Sequence, residues 1–263
     1  MRTRIEADPA WRVVVTACNR PGRLALLLRD LRRERRRHHF DVVVYDDGSE
    51  PFLLPVVQRE LRSAKYERLG NVRHGRERMW QVIDRLLASC ARTDYEYFFI
   101  LEDDLRLCRR FFERAFAAWR SIEDPALSAL TLMRDERYEA QQWHDAPVLE
   151  APGGCFRLGW LDGIFMFDRT FLDALGAEVL PVSLSRWSEG SLLGSGVGPQ
   201  LSLRLRAAGR AAYGVGKSLV VHAAVNTSVQ NPAARREHPL RSRFFVDGEA
   251  RQAELEAEGA NER

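Results

Sequence analysis

The chain predicts an α/β protein built on a doubly wound, mixed sheet and folded as a single domain. Three observations carry that expectation. Short β-branched or aromatic runs alternate with longer segments of 3.6-residue apolar periodicity, the pattern of strands joined by crossover helices. The 263 residues, 45% of them hydrophobic, can fill one sizeable core. No internal repeat and no Pro/Gly/Ser linker divides them.

The elements follow in order. Trp11 to Ala17 reads as the first strand, and Asn19-Arg20-Pro21-Gly22 breaks it, with Pro21 suited to a helix first turn. A helix is expected over about 23–37, with Leu24, Leu27, Leu28 and Leu31 on one face. Asp41 to Tyr45 is a second buried strand, closed by Asp46-Asp47-Gly48-Ser49. A helix over about 75–91 places Met79, Val82, Ile83, Leu86 and Leu87 on its apolar face, and Tyr95 to Leu101 is the next strand. Strand–helix alternation of this kind gives parallel neighbours.

The second half is less regular. Residues 134–159 read as a long loop or small β excursion, a kind of segment that often faces substrate. A strand over 161–167, a short helix over 170–177, a Gly/Ser-rich stretch over 186–199, a helix over 200–208 and a strand over 218–222 follow. The charged tail, 248–263, frays or forms a surface helix.

Composition excludes several classes. The formal net charge is only +3, and Lys65 and Lys217 are the only lysines among 40 basic residues. The arginine skew suits phosphate recognition and equally a GC-rich genome. Cys18, Cys90, Cys108 and Cys155 form no CxxC pair, which argues against a zinc knuckle or disulfide scaffold. No apolar stretch approaches the roughly 18 residues needed to span a membrane, and Met1 to Ala10 lacks an apolar signal core. The expectation is a reduced, cytoplasmic protein with no transmembrane segment.

The chemistry concentrates at Glu102-Asp103-Asp104, directly after Tyr97-Phe98-Phe99-Ile100-Leu101. Three carboxylates leaving a buried strand are costly without a positive partner. A divalent cation on a substrate phosphate is such a partner, and the carboxyl ends of strands are where open α/β sheets bind ligands. The bland alternative is an acidic helix start. Thr16-Ala17-Cys18-Asn19-Arg20-Pro21 offers a helix N-terminus suited to an anion, or a plain turn. Asp46-Asp47-Gly48-Ser49 could hold a base or ribose, or be an Asp-Gly turn. Arg73-His74-Gly75-Arg76-Glu77-Arg78 could reach a pyrophosphate, or be a solvated helix start. His222, at a strand end, could complete a metal site, whereas His38, His39, His74, His144 and His238 show no ligand spacing. The basic stretch from Arg29 to Arg37 reads as a solvated helix face or as a surface for nucleic acid or anionic membrane.

In this order the segments resemble the GT-A (Rossmann-like) nucleotide-sugar glycosyltransferases, especially family 2 and its relatives. Val13 to Pro21 is similar to that family's opening strand and turn. Val43 to Ser49 is similar to its uracil-binding strand, and Leu101 to Leu105 to its DXD motif, in the Glu-Asp-Asp wording of N-acetylglucosaminyltransferases. Leu201 to Gly209 resembles the late helix, and Ser218 to His222 the strand that supplies a histidine near the metal. The likeness covers about 11–230. It implies a glycosyltransferase domain over 1–247, with a nucleotide-binding half at about 11–130 and an acceptor-side half at about 131–230, followed by the tail.

The resemblance also implies roles. Thr16, Asn19 and Arg20 would line the nucleotide pocket, Asp47 would contact the base with Asp46 beside it, and Arg76 or Arg78 would reach the pyrophosphate. Asp104 would bind Mn2+ or Mg2+, with Asp103 near the ribose, Glu102 in support and His222 as a further ligand. The donor would be a nucleotide-sugar, UDP before other bases. The acceptor would be a glycan or lipid-linked sugar, with a hydroxylated base in nucleic acid as the minor case. One departure stands out. The family's acidic pair before the late helix is here Gly196-Val197-Gly198-Pro199-Gln200, so the base must lie elsewhere. Glu189 and Asp162 are the candidates, Glu189 slightly favoured for preceding the late helix. Two rivals remain. A nucleotidyltransferase would need a Gly-rich, Lys-containing loop that Asn19-Arg20-Pro21-Gly22 does not match, and the missing acidic pair keeps open a non-catalytic binding domain.

Overall fold

In the computed structural model, which describes residues 11–134, 150, 151, 154–159, 161, 163–183, 196–223, 242 and 244–261, Trp11–Ala17 forms strand β1, buried along its whole length. Alternation along it feeds two cores. Val13 and Val15 pack on one face of the sheet and Val14 on the other, as the period of two requires. β1 pairs in parallel with β2 (Asp41–Asp46) on one side, and β3 (Lys65–Arg68) extends that edge in parallel. On its other side β1 pairs in parallel with β4 (Tyr97–Glu102).

Beyond β4 the direction changes. β9 (Phe165–Asp168) runs antiparallel to both β4 and β6 (Leu127–Thr131). β10 (Ala211–Gly214) returns parallel to β6, and β8 (Cys155–Leu158) and β7 (Glu150–Ala151) finish the edge in antiparallel steps. The order among the described residues is β3-β2-β1-β4-β9-β6-β10-β8-β7. The sheet is mixed, as expected, because β9 is threaded in reversed. A separate ribbon pairs β5 (Leu105–Leu107) with β11 (Val220–His222), antiparallel.

Helices cover both faces. α1 (Pro21–Glu34), with Pro21 in its first turn, puts Leu24, Leu27, Leu28 and Leu31 into one core beside α2 (Leu54–Glu60) and α4 (Phe111–Arg120). α3 (Met79–Ala91), α5 (Arg169–Leu175) and α6 (Val197–Ala207) build the other. α7 (Glu249–Asn261) lies on the α1 side and buries Leu255 there, so the charged tail contains a docked helix. Elements read from periodicity fall within a few residues of their expected bounds. Six elements were not assigned that way: α2, α4, β3, β5, β6 and β10. No helix among the described residues is long and apolar enough to cross a membrane.

Candidate functional site

The site grows from the end of β4. Glu102 lies in register with Thr16 of β1, the chain turns through Asp103 and Asp104, and it re-enters structure as β5. The turn is held from both sides. The Asp103 N–H donates to the Thr16 carbonyl (3.0 Å), and the Ala223 N–H donates to the Asp104 carbonyl (2.7 Å). Thr16 is buried and its hydroxyl donates to the Leu101 carbonyl (3.4 Å), so it forms the floor of the site.

Arg20, the N-cap of α1, forks across the two aspartates. Its Nη2 is 2.8 Å from Asp103 Oδ1, and its Nη1 pairs with Asp104 Oδ2. The other Asp103 oxygen accepts the Cys18 N–H at 2.8 Å. Asp104 is buried, and its Oδ1 lies 3.3 Å from His222 Nδ1. His222 stands opposite Leu105 in the β5–β11 ribbon, which brings it to the acidic motif from far along the chain. One ligand atom each from Glu102, Asp104 and His222 lie within 4.8 Å of one another. Gly163 flanks them, since a Cβ there would come 3.0 Å from Glu102 Oε1.

Burial and charge act in opposition here. Burial drives the Asp103 carboxyl up to about 7 against the pull of Arg20. Burial also raises Asp104, but Arg20 and His222 together hold it well below the carboxylate range. Burial lowers His222, and Asp104 and Glu102 outweigh it, so the imidazole sits above its usual value. Arg23, one turn along α1, is depressed by burial and by Arg20 while Asp104 and Asp103 support its charge. Three carboxylates therefore face two guanidiniums and an imidazole. The Cys18 thiol, pushed up to about 11 by burial and Asp47, is no nucleophile at neutral pH.

A second arm comes from the loop after β2. Asp46 is fully buried. Its Oδ1 accepts the Ser49 N–H (2.9 Å) and its Oδ2 the hydroxyl of Tyr66 in β3. Asp47 accepts the His74 backbone N–H (3.0 and 3.2 Å) and lies 2.5 Å from His74 Nδ1. Asn19, at φ 54°, donates its N–H to Ser49 Oγ (2.8 Å) and accepts the Glu50 N–H (2.7 Å). Gly48, at φ +68°, sits where a Cβ would be 2.8 Å from the Arg73 nitrogen, so only glycine fits.

The structure thus gathers Thr16, Arg20, Glu102, Asp103, Asp104 and His222 into one cluster, with Asn19 and Asp47 in the adjoining loops. Arg78 is exposed, in a 3-10 turn before α3. The Arg76 side chain, Asp162 and Glu189 lie outside the described residues. At the start of the late helix, Gln200 cannot stand in for the missing acid. Its amide accepts from the Leu180 N–H (2.6 Å) and donates to the Leu180 carbonyl (2.8 Å). Sequence reasoning missed Arg23, Gly163 and His74. Arg23 was legible as the residue one turn after Arg20, whereas nothing local marks Gly163 or His74.

The metal ligands expected from the motif fit a hard divalent cation. A buried carboxylate, a second carboxylate and an imidazole converge there.

No family model matches the sequence, and no curated protein matches it. Solved structures do match the fold. A mannosyltransferase, PcManGT from Pyrobaculum calidifontis in complex with GDP-Man and Mn2+, aligns with a TM-score of 0.51 at 18% identity, over 77% of this chain and 53% of its own. TarS 1–349 of S. aureus in complex with UDP-GlcNAc aligns at 0.57 and 13%, over 96% and 72%. Glucosyl-3-phosphoglycerate synthase from Mycobacterium tuberculosis, in complex with Mn2+, UDP and glucosyl-3-phosphoglycerate, aligns at 0.51 and 15%, over 82% and 72%. This chain spans about half of the mannosyltransferase and 36% of a longer TarS chain. The class is defined at this point: the chain has the fold of the GT-A glycosyltransferases, with a candidate acidic metal site at the end of its central strands.

Proposed function

We propose that this chain is a metal-dependent glycosyltransferase that moves a sugar from a nucleoside-diphosphate sugar, UDP foremost, to a hydroxyl acceptor. The observation that carries this reading is the Glu102–Asp104–His222 cluster at the carboxyl end of the parallel strands, with one ligand atom of each within 4.8 Å of the others. That end of the sheet is where such folds bind nucleotides. Neighbours in complex with UDP or UDP-GlcNAc favour UDP, and two neighbours carry Mn2+.

Glu102, Asp104 and His222 would hold Mn2+ or Mg2+. A bound divalent cation would offset the charge that grows on the departing diphosphate. Arg20 and Arg23 supply further positive charge beside the same spot. Asp103 holds the Cys18–Arg20 turn that lines the nucleotide pocket, together with Thr16 and Asn19. Asp47, oriented by His74, faces the base, and Arg76 or Arg78 reaches the pyrophosphate from the α3 side.

The acceptor hydroxyl needs a base for direct attack on the sugar C1. Asp162 now has the stronger support of the two candidates. Its neighbour Leu161 is tied to α6 by an N–H bond to Ser202 Oγ (2.8 Å), and its neighbour Gly163 lies where an added Cβ would come 3.0 Å from Glu102 Oε1. Glu189 remains the alternative. Asp162→Asn and Glu189→Gln should separate them, one losing turnover while donor binding persists.

A glycan or lipid-linked sugar is the acceptor class we favour. Part of the basic stretch that motivated a nucleic-acid acceptor is paired within the chain. Arg29 pairs with Glu60, Arg33 with Asp30, and Arg35 with the Phe40 carbonyl.

The test is a thermal-shift panel of nucleoside diphosphates and sugar nucleotides, with and without Mn2+, on wild type and Asp104→Ala. A ligand selective for the native state raises its stability by mass action. A Mn2+-dependent shift with one nucleotide, lost in the variant, is expected. No metal-dependent shift with any nucleotide would overturn the reading in favour of a non-catalytic domain.

A further inference from the structure

His222 stands on a strand of three residues, whose ladder among the described residues is with β5 alone. Two-stranded ribbons are marginal by themselves. Helix α7 meets this one at successive positions. Gln252 Nε2 donates to the Ser242 carbonyl (2.9 Å), and Ser242 Oγ donates to the Val220 carbonyl (2.7 Å). Glu258 takes Nη1 of Arg106, the residue opposite Val221 in the ladder. Gly259 rests on Ala223, so closely that a Cβ at 259 would lie 2.2 Å from the Ala223 Cβ and 2.7 Å from its Cα. Leu255 anchors the helix in the core.

The last contact matters most. Ala223 follows His222 directly, and its N–H is the bond to the Asp104 carbonyl. The tightest approach of α7 therefore falls on the residue that joins two metal ligands of the site. Glycine weakens a helix relative to alanine, and here the close approach accounts for it.

We propose that α7 is a clasp that positions His222 in the metal site, with Gly259 as its seat on Ala223. The proposal rests on the metal reading above and extends it to a segment far outside the motif. Gly259 and Glu258 are positioning residues, acting through β11 on a ligand they do not touch. A displaced ligand weakens a metal site, and disturbed outer-shell support costs roughly ten- to a hundredfold in affinity.

The experiment is Mn2+ binding to the full chain, by the loss of free Mn2+ signal in electron paramagnetic resonance, on wild type, Gly259→Ala, His222→Ala and the double variant. Gly259→Ala should bind Mn2+ about tenfold more weakly. In the His222→Ala background the same change should have a much smaller effect, because the clasp acts mainly through that imidazole and only secondarily through the Ala223–Asp104 bond. Glu258→Ala releases one leg of the clasp without overfilling it. It serves if Gly259→Ala does not fold, with an expected loss of about two- to threefold that also shrinks without His222. Additive losses, or wild-type affinity in folded Gly259→Ala, would overturn the clasp while leaving the metal site intact. A wild-type chain that binds no Mn2+ would overturn the metal reading and the clasp together.

Discussion

Two ionic clusters sit at opposite ends of the short strand β5, and they are built on different terms. At its start, Glu102, Asp103 and Asp104 crowd against Arg20, Arg23 and His222, and the partner of Asp104 Oδ1 is His222 Nδ1 at 3.3 Å. At its middle and end, Asp30 of α1 takes Arg106 Nε (2.9 Å), the Leu107 N–H (3.1 Å) and Arg33 (3.0 Å), while Glu258 takes the remaining side of Arg106. The second cluster pairs its charges and ties α1, β5 and α7 together. The first gathers two carboxylates and an imidazole whose ligand atoms lie within 4.8 Å of one another. Paired charges of the second kind hold a fold together, whereas ligand atoms gathered as in the first suit a cation.

The comparison breaks first at Asp104. Replacing it with alanine removes the carboxylate nearest the proposed cation, so turnover should fall by about a thousandfold, ~4 kcal/mol of transition-state stabilisation. The Tm should move little, because Arg20 keeps Asp103 as a partner. Asp30→Ala should do the reverse. It leaves the buried guanidinium of Arg106 with Glu258 alone and the Leu107 N–H without an acceptor, which costs about 1–3 kcal/mol of stability, while Mn2+ affinity measured well below the transition stays near wild type. Denaturant unfolding and Mn2+ titration of the two variants, side by side, would show whether the clusters divide their work. Equal stability losses would erase the distinction.

That division also explains what was legible beforehand. Buried strands and amphipathic helices advertise themselves by period, which is why β1, β2, β4, α1 and α3 stood where the sequence put them. α4 was equally periodic, with Phe111, Phe112, Ala115, Phe116 and Trp119 buried, and simply followed too closely on the acidic motif to be read. The front cluster announced itself through composition, since three carboxylates after an apolar strand have few ordinary explanations. The back cluster did not. Asp30 in an arginine-rich helix reads as a surface charge, and only the fold brings Arg106 and Glu258 to it. Gly163 and Gly259 are of the same kind, because a close approach between distant segments leaves no local signature.

Arg20 sharpens the comparison further. In the absence of a cation its fork offsets Asp103 and Asp104, the place a metal would take. Arg20→Gln should therefore tighten binding of Mn2+ alone by about tenfold, the scale of one close charge pair at a partly buried site, and weaken binding of UDP. Opposite signs from calorimetry with the two ligands would identify Arg20 as a counter-ion shared between the resting site and the nucleotide. Losses of both would make it a plain structural residue like Arg106.

The smallest effect expected is a dependence on pH. Metal ligands must be deprotonated, so a site that holds protons binds metal better as they leave. His222 sits above its usual value and Asp103 is raised to about 7. Each group holds its proton to a higher pH than it would in water and gives it up as the pH rises. The sign follows: Mn2+ affinity should be low at acid pH, rise through neutrality and level off once both groups are neutral or ionised as metal binding requires. Each proton released contributes up to about tenfold per pH unit. His222→Ala should leave a shallower rise, owed to Asp103, and at the back cluster Asp30→Ala should leave the profile unchanged. An affinity flat across the neutral range in wild type would mean that the cation, if it binds, does so without displacing a proton from His222, and would remove that imidazole from the ligand set.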